Sequence, residues 1–297
     1  MTAPPLARYF SDVENQGRGY ISPLDPDGRR YPGVTSIIKL VAKDMSQYGS
    51  DMAVRWMANH WSEWSPGQRS EESAFRSARY RHKDYRDERG EVGTGVHSYI
   101  EDYVKGRDPI GFDLDTEQWQ MVEQFNEAVF LTGMEFIDSE VTVFGEDWAG
   151  TLDLRVRAYS ERLGRVATGI LDVKTSKSIY PEVMLQIAAL KSARKQFRQV
   201  DADVPKAIHL PDKTRGDSWW LEEDAPEVDT AWALHLRGDF WDVDHMVPAK
   251  WEMIEIGTEK TGDEALHLAR FEALKQVWYA NDALKKSGFD LTKKLSA

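Results

Sequence analysis

The chain has 297 residues, 41% of them hydrophobic, enough for one large domain or two modest ones with a substantial core. Its formal charge of −12 argues against a protein that simply coats nucleic acid, which is usually basic. With 0 cysteines, disulfides, thiolate-bound zinc and cysteine-ligated iron–sulfur clusters are excluded, so any metal must be held by oxygen ligands and histidine, a donor set that suits Mg²⁺ or Mn²⁺.

Residues 18–38 read as a hairpin: Tyr20-Ile21 and Tyr31 to Ile38 flank the turn-rich Pro23 to Gly28. Residues 44–62 read as a helix with Met45, Met52, Trp56 and Trp61 as anchors. The polar segment 63–90 is interrupted by Ser65-Pro66-Gly67 and reads as helical in its later part. Residues 91–105 carry the clearest helical period, with Val92, Val96, Tyr99, Ile100, Tyr103 and Val104 in one stripe and Gly106 at the end. A second helix is expected over 116–131. Asp115 or Thr116 caps it, Trp119, Val122, Phe125 and Val129 face inward, and Gly133 closes it.

Strands follow. Glu140 to Phe144 alternates, and Trp148 to Arg157 places Leu152, Leu154 and Val156 on one face. After a turn at Ser160 to Arg165, Val166 to Lys174 is a third strand. Pro181 opens a helix to about Gln199, with Val183, Ile187, Leu190 and Phe197 on its buried side. Residues 200–230 read as loop-rich. Ala231 to Leu236 and Phe240 to Val243 read as a hairpin about Arg237-Gly238-Asp239. Asp263 to Lys286 reads as an amphipathic helix with Leu266, Leu274, Val277 and Trp278 on its apolar side. No run of about 18 apolar residues is present, so no membrane span is expected. The start Met1 to Pro5 lacks a basic-then-apolar signal pattern, which points to the cytoplasm.

The candidate chemistry sits on these elements. Asp172 and Lys174 share one strand face, with Leu171 and Val173 turned into packing. If the two strands pair across the Ser160 turn, Asp153 converges with Asp172, and Gly150 leaves room for a close approach. Charged residues ending so apolar a strand are costly unless paired or metal-bound, so an ordinary Asp172–Lys174 salt bridge and a metal site both fit. In the metal reading Asp153 and Asp172 are ligands, the Val173 carbonyl reaches the ion, and Lys174 stands beside the attacking water. His97 and Glu101 are helix neighbours at i, i+4. His97 completes the shell and Glu101 orients its ring or holds a second ion, or the two are a surface pair. Gln186 reaches the site from the next helix or is a polar flank.

Two basic clusters, Arg76 to Arg89 (with Arg79, Arg81, Lys83 and Arg86) and Lys191 to Arg198 (with Arg194 and Lys195), read either as nucleic-acid contacts or as solvated helix faces. Trp219 and Trp220 read as base-stacking residues or as packing under a loop.

The order Gly93-Thr94-Gly95-Val96-His97, Glu140, Gly150-Thr151-Leu152-Asp153, Asp172-Val173-Lys174-Thr175, Gln186 resembles the PD-(D/E)XK nuclease superfamily in its RecB-like branch. Tyr31 to Ile38 is similar to the start of bacteriophage exonucleases of that branch. The motifs span residues 31–190. The resemblance implies an α/β (α+β) restriction-endonuclease-like fold, a central mixed β-sheet flanked by helices with helical decoration at both ends. It implies one nuclease domain over 1–297: N-terminal hairpin and helices over 1–90, catalytic core over 91–200, C-terminal hairpin and helix over 201–297. His97, Asp153 and Asp172 would hold Mg²⁺ or Mn²⁺, Lys174 would be catalytic, Gln186 would contact the site or the DNA, and Glu140 matches a recurrent acid. The family often has a tyrosine where this chain has Leu190. Lacking cysteines, the chain resembles members without an iron–sulfur cluster.

The expectation is therefore a metal-dependent DNA exonuclease of phage recombination, replication or repair. It would act on linear single- or double-stranded DNA, with a recombination or single-strand-binding protein as a partner and oligomerisation open. The alternatives are a structure-specific or nicking endonuclease on the same fold and a catalytically silent DNA-binding module. No Gly-x-Ser-x-Gly elbow or cysteine nucleophile favours another hydrolase.

Overall fold

The computed structural model describes residues 6–9, 18–41, 46–60, 71–107, 113–211, 216–242 and 245–287. Strands β1 (Ala7–Tyr9), β2 (Arg18–Ser22) and β3 (Asp25–Pro32) form a small antiparallel sheet. Four helices follow: α1 (Val34–Ile38), α2 (Ser46–Asn59), α3 (Glu71–Val104) and α4 (Thr116–Thr132). Then come β4 (Glu135–Phe144), β5 (Ala149–Ser160), β6 (Arg165–Lys174), α5 (Glu182–Lys191), β7 (Lys195–Val200), β8 (Ile208–Leu210) and β9 (Ser218–Asp224). The described chain ends with β10 (Thr230–Arg237), β11 (Phe240–Asp242), β12 (His245–Val247), β13 (Lys250–Glu255) and α6 (Glu264–Lys286).

The protein is α+β, with a central mixed sheet of 8 strands in the order β13-β10-β6-β5-β4-β7-β9-β8, flanked by helices. The β6–β10 pair is parallel and the other neighbours are antiparallel. On one face α1, α5 and α6 bury Ile37, Leu185, Ile187 and Phe271 against Ile170 and Ala233. On the other, α3 and α4 bury Val96, Ile100, Met121 and Phe125 against Leu171, Val173 and Leu234. Both faces of β6 are therefore covered, which is why it reads as a nearly continuous apolar run. No helix among the described residues is long and apolar enough to cross a membrane.

Local chemistry explains several boundaries. Asp115 accepts from the Gln118 amide while the Gln118 side chain accepts from the Asp115 amide, a reciprocal cap that starts α4. Gly133, at φ +58°, ends α4 in the left-handed conformation that glycine adopts without strain.

Elsewhere tertiary pairing overrides the local pattern. Residues 34–38 are helix α1, not the second arm of a hairpin, and β3 already begins at Asp25. Helix α3 runs unbroken from Glu71, so the polar stretch and the 91–105 stripe are one element; Met45, Trp61 and Ser65-Pro66-Gly67 lie outside the described residues. Helix α5 stops at Lys191 rather than Gln199, because the Arg194 amide bonds the Phe144 carbonyl at 3.0 Å and draws the chain into the sheet beside β4. Phe197 is consequently a strand residue, packed edge-on against Phe144. The 200–230 region contains β8 and β9, and β10 pairs with β13 and β6 while β11 pairs with β12. On α6, Leu266 and Val277 are exposed, while Phe271 and Lys275 are buried. Trp119 on α4 is also largely exposed, and Met121 and Ala128 take inner positions.

Candidate metal centre

β5 and β6 pair from Ser160–Arg165 up to Leu154–Leu171 and then fork. Asp153 sits in the fork, where its Oδ2 accepts the Val173 amide at 2.8 Å. On the other side of β5, the ladder with β4 joins Ser139 to Leu154 and Val141 to Leu152, skipping Glu140, whose φ is +54°. A non-glycine residue in that region is strained and is held there by its surroundings. The alternation changes at this point: Leu154 and Val156 pack on the α3–α4 face and Leu152 on the α5 face. This corrects the expectation that Leu152, Leu154 and Val156 share one side.

Into this break comes His97 from α3. Its Nδ1 lies 3.8 Å from Asp153 Oδ2. One ligand atom from each of His97, Glu140 and Asp153 falls within 4.8 Å of the others. Burial pulls the imidazole below its ordinary range, Asp153 opposing and Lys174 reinforcing, so His97 is neutral at pH 7 with a lone pair to offer. The Val173 backbone is within hydrogen-bonding reach of the same ring.

Asp172, which precedes Val173 on β6, is buried at 1% exposure. Gln186 Nε2 donates to its Oδ1 at 2.9 Å, and Lys174 Nζ stands 2.5 Å from its Oδ2. Burial pushes this carboxyl up to about 6, with Lys174 opposing and Asp153 adding to the rise. Burial lowers the Lys174 ammonium, but attraction to Asp172 and Asp153 outweighs it, so its proton is held more tightly than usual. Asp172, Lys174 and Gln186 thus form a network of their own, outside the compact trio.

The three donors, and Gln186 from this network, border a cleft of ≈ 320 Å³ also lined by Arg89, Gly93 and Thr175. Helix α3 approaches closely because Gly93 has no Cβ; one there would stand 2.8 Å from Thr175 Oγ1. The room beside Gly150 is taken by Leu190, since a Cβ would meet its Cδ2 at 2.6 Å. Gly150 therefore serves helix packing, and Leu190 forms part of the cleft wall.

Two carboxylates and a neutral imidazole are hard donors of the kind Mg²⁺ or Mn²⁺ prefers. Two carboxylates this close repel unless a cation or a proton intervenes. The donor set therefore fits a divalent ion.

Glu101 is not part of the site. It pairs with Lys105 at 2.5 Å and Arg107 at 3.5 Å. The basic clusters are largely neutralised: Arg81 pairs with Glu88 at 2.7 Å, Lys191 with Glu264 at 2.8 Å, Lys195 with Asp224 at 2.9 Å and Arg198 with Glu223 at 3.1 Å. Arg89 differs, lining the cleft, where it binds Glu117 at 2.5 Å and the Thr175 carbonyl at 3.0 Å. Sequence reasoning filed it with its neighbours, although the spacing Arg89, Gly93, His97 places all three on one helix face. Thr175 and the Tyr20–Thr151 hydrogen bond at 3.1 Å were missed as wall elements. Trp220 is buried against Phe197 and Leu210, and Trp219 stacks on His209 at 4.9 Å, which makes the pair structural.

The chain matches no protein-family model, and no curated protein matches it in sequence.

Proposed function

We propose that the protein is a Mg²⁺- or Mn²⁺-dependent DNA exonuclease of the PD-(D/E)XK type, acting in phage recombination, replication or repair. The observation that carries this reading is the meeting of His97, Glu140 and Asp153 at the β5–β6 fork, beside the network that the buried Asp172 makes with Lys174 and Gln186. His97, Glu140 and Asp153 would hold the ion, with the Val173 carbonyl and Asp172 next in reach. When bound, such an ion polarises a phosphoryl oxygen and lowers the pKa of a coordinated water.

The chain's own residues do the rest. Lys174 carries its charge against Asp172 and keeps that carboxyl ionisable. Gln186 fixes the Asp172 carboxylate by its amide. Arg89 holds the Thr175 carbonyl and so fixes the segment leaving β6. A cytoplasmic location and a recombination or single-strand-binding partner accompany this reading.

The test is cleavage of an end-labelled linear duplex and its single strand with Mn²⁺, Mg²⁺ or EDTA, comparing wild type with Lys174→Ala. Metal-dependent cutting that the substitution abolishes is the expected result. A closed circular duplex left intact distinguishes an exonuclease from an endonuclease. DNA binding with no cutting under any metal would sink the enzyme reading in favour of a silent DNA-binding module.

A further inference from the structure

A second cleft, of ≈ 430 Å³, adjoins the segment that leaves β6. Its lining is unlike the composition of the chain. Lys177, Arg237, Lys260, His235 and His267 face it against a single carboxylate, Glu252, which Lys260 engages at 2.5 Å. Within a chain of net charge −12, three permanent cations around one concave surface make a local positive field. Tyr180 and Pro181 bring the N-terminal end of the 10-residue helix α5 to the same cleft, adding the positive end of its dipole.

A second feature points the same way. Arg237 on β10 and Lys250 on β13 are direct cross-strand partners. Like charges opposite one another destabilise a sheet, and an anion beside them offsets that cost.

The two clefts share one strap. Thr175 lines the metal-centre cleft, and Lys177 and Ser178 line the second. The strap is pinned from both sides: Arg89 donates to the Thr175 carbonyl at 3.0 Å, and His235 Nε2 donates to the Ser176 carbonyl at 2.5 Å. Thr175 and Lys177 are two residues apart, so at ~3.5 Å per residue the two clefts approach within at most ~7 Å along the strap.

We infer that the Lys177–Arg237–Lys260 cleft is a second phosphodiester-binding station, holding the nucleic-acid backbone on the far side of the 175–178 strap from the metal centre. This rests on the nuclease reading for the identity of its ligand. Its chemistry is that of phosphate contacts, which position a strand without reading its bases.

The test separates the two claims. Binding of a fluorescein-labelled single strand and duplex to the full chain is followed in EDTA over a series of salt concentrations. Wild type is compared with Lys177→Ala/Lys260→Ala, both at exposed positions, and with Lys177→Arg/Lys260→Arg. Cleavage with Mn²⁺ is measured in parallel. Two lost phosphate contacts lower the slope of log Kd against log salt by about 1.4 for a single strand and about 1.8 for a duplex. The alanine pair is expected to show that change with at least a tenfold weaker Kd at low salt, and the arginine pair to restore both. An unchanged slope and Kd in the alanine pair, or a wild type that binds no DNA, overturns the station. Cutting with an unchanged slope removes the station and leaves the nuclease. Binding with the expected slope change but no cutting removes the nuclease and leaves the station.

Discussion

Asp172 offers a test that needs neither substrate nor metal. Its carboxyl is raised from an ordinary 3.8 to about 6 by burial, despite Lys174 at 2.5 Å. The folded state therefore holds the Asp172 proton more tightly than the unfolded chain does. Stability from this group is fully present below the unfolded value and is lost as pH rises through about 6. At about 1.4 kcal/mol for each tenfold change in proton affinity, the loss amounts to about 3 kcal/mol. Asp172→Asn removes the titration. It also costs stability, because Lys174 loses its nearer counter-charge and keeps only Asp153 to offset its burial. His97, lowered by burial, gives an opposite slope near its ordinary 6.5 in both proteins and cancels in the difference. Urea unfolding in EDTA from pH 4 to pH 7.5 is the assay. The stability of Asp172→Asn relative to wild type should move in the variant's favour by about 2 kcal/mol across that range, since part of the loss has already occurred at pH 4. Parallel wild-type and variant curves would refute the reasoning, since Asp172 would then titrate as an exposed carboxyl does.

Three further outcomes follow from the site's geometry. Glu140→Gly should relieve the strain at φ +54° and stabilise the fold by up to about 1 kcal/mol, while weakening Mn²⁺ binding; thermal melts and Mn²⁺ titration read the two effects, and a joint loss of both would contradict the assignment of strain. Gly93→Ala should cost about 1–3 kcal/mol by forcing its Cβ against Thr175 Oγ1, and adding Thr175→Ala should recover much of that loss in chemical denaturation. His97→Ala should weaken Mn²⁺ affinity at least tenfold with little change in fold, whereas Glu101→Ala should leave Mn²⁺ affinity unchanged; a metal titration in which the two behave alike would undo the trio.

Much of the fold was legible where the deciding chemistry is local. The cap at Asp115 and the left-handed Gly133 bracket α4 within a single stretch of sequence, and both ends emerge as read. The β5–β6 hairpin is equally local, since its turn and its apolar arms are contiguous. The end of α5 is not. Nothing in Ser192-Ala193-Arg194 stops a helix as a glycine or proline would. The stop is set by the Phe144 carbonyl and by acids on β9 that pair with Lys195 and Arg198. The partner of β10 is likewise settled at a distance, by a parallel pairing to β6 about sixty residues earlier. Asp172 and Lys174 were readable as candidates because charged residues ending an apolar strand demand a reason, and His97, Asp153 and Gln186 by their place in the motif order. Glu101 was misplaced because i, i+4 spacing puts a neighbour on the same helix side without saying how far the sheet edge extends.

The irregularity at Glu140 links the fold to the site. A strictly alternating β4–β5 pair would keep Leu152 and Leu154 on one face and would pair Glu140 with Asp153. Instead Glu140 adopts a positive φ opposite Asp153, the side-chain alternation changes, and Leu152 joins the α5 core. Asp153 is then released from the regular face and drops into the fork, where the Val173 amide takes its carboxylate. The same break brings the Glu140 carboxylate toward His97. Repairing the alternation would restore ladder hydrogen bonds and dismantle the trio in the same move. A donor set that depends on a local fault cannot be found by counting period-two matches, because it exists where the period fails. The strain at Glu140 and the convergence of the three donors are thus one structural event, and a variant that removes the first without disturbing the second would separate them.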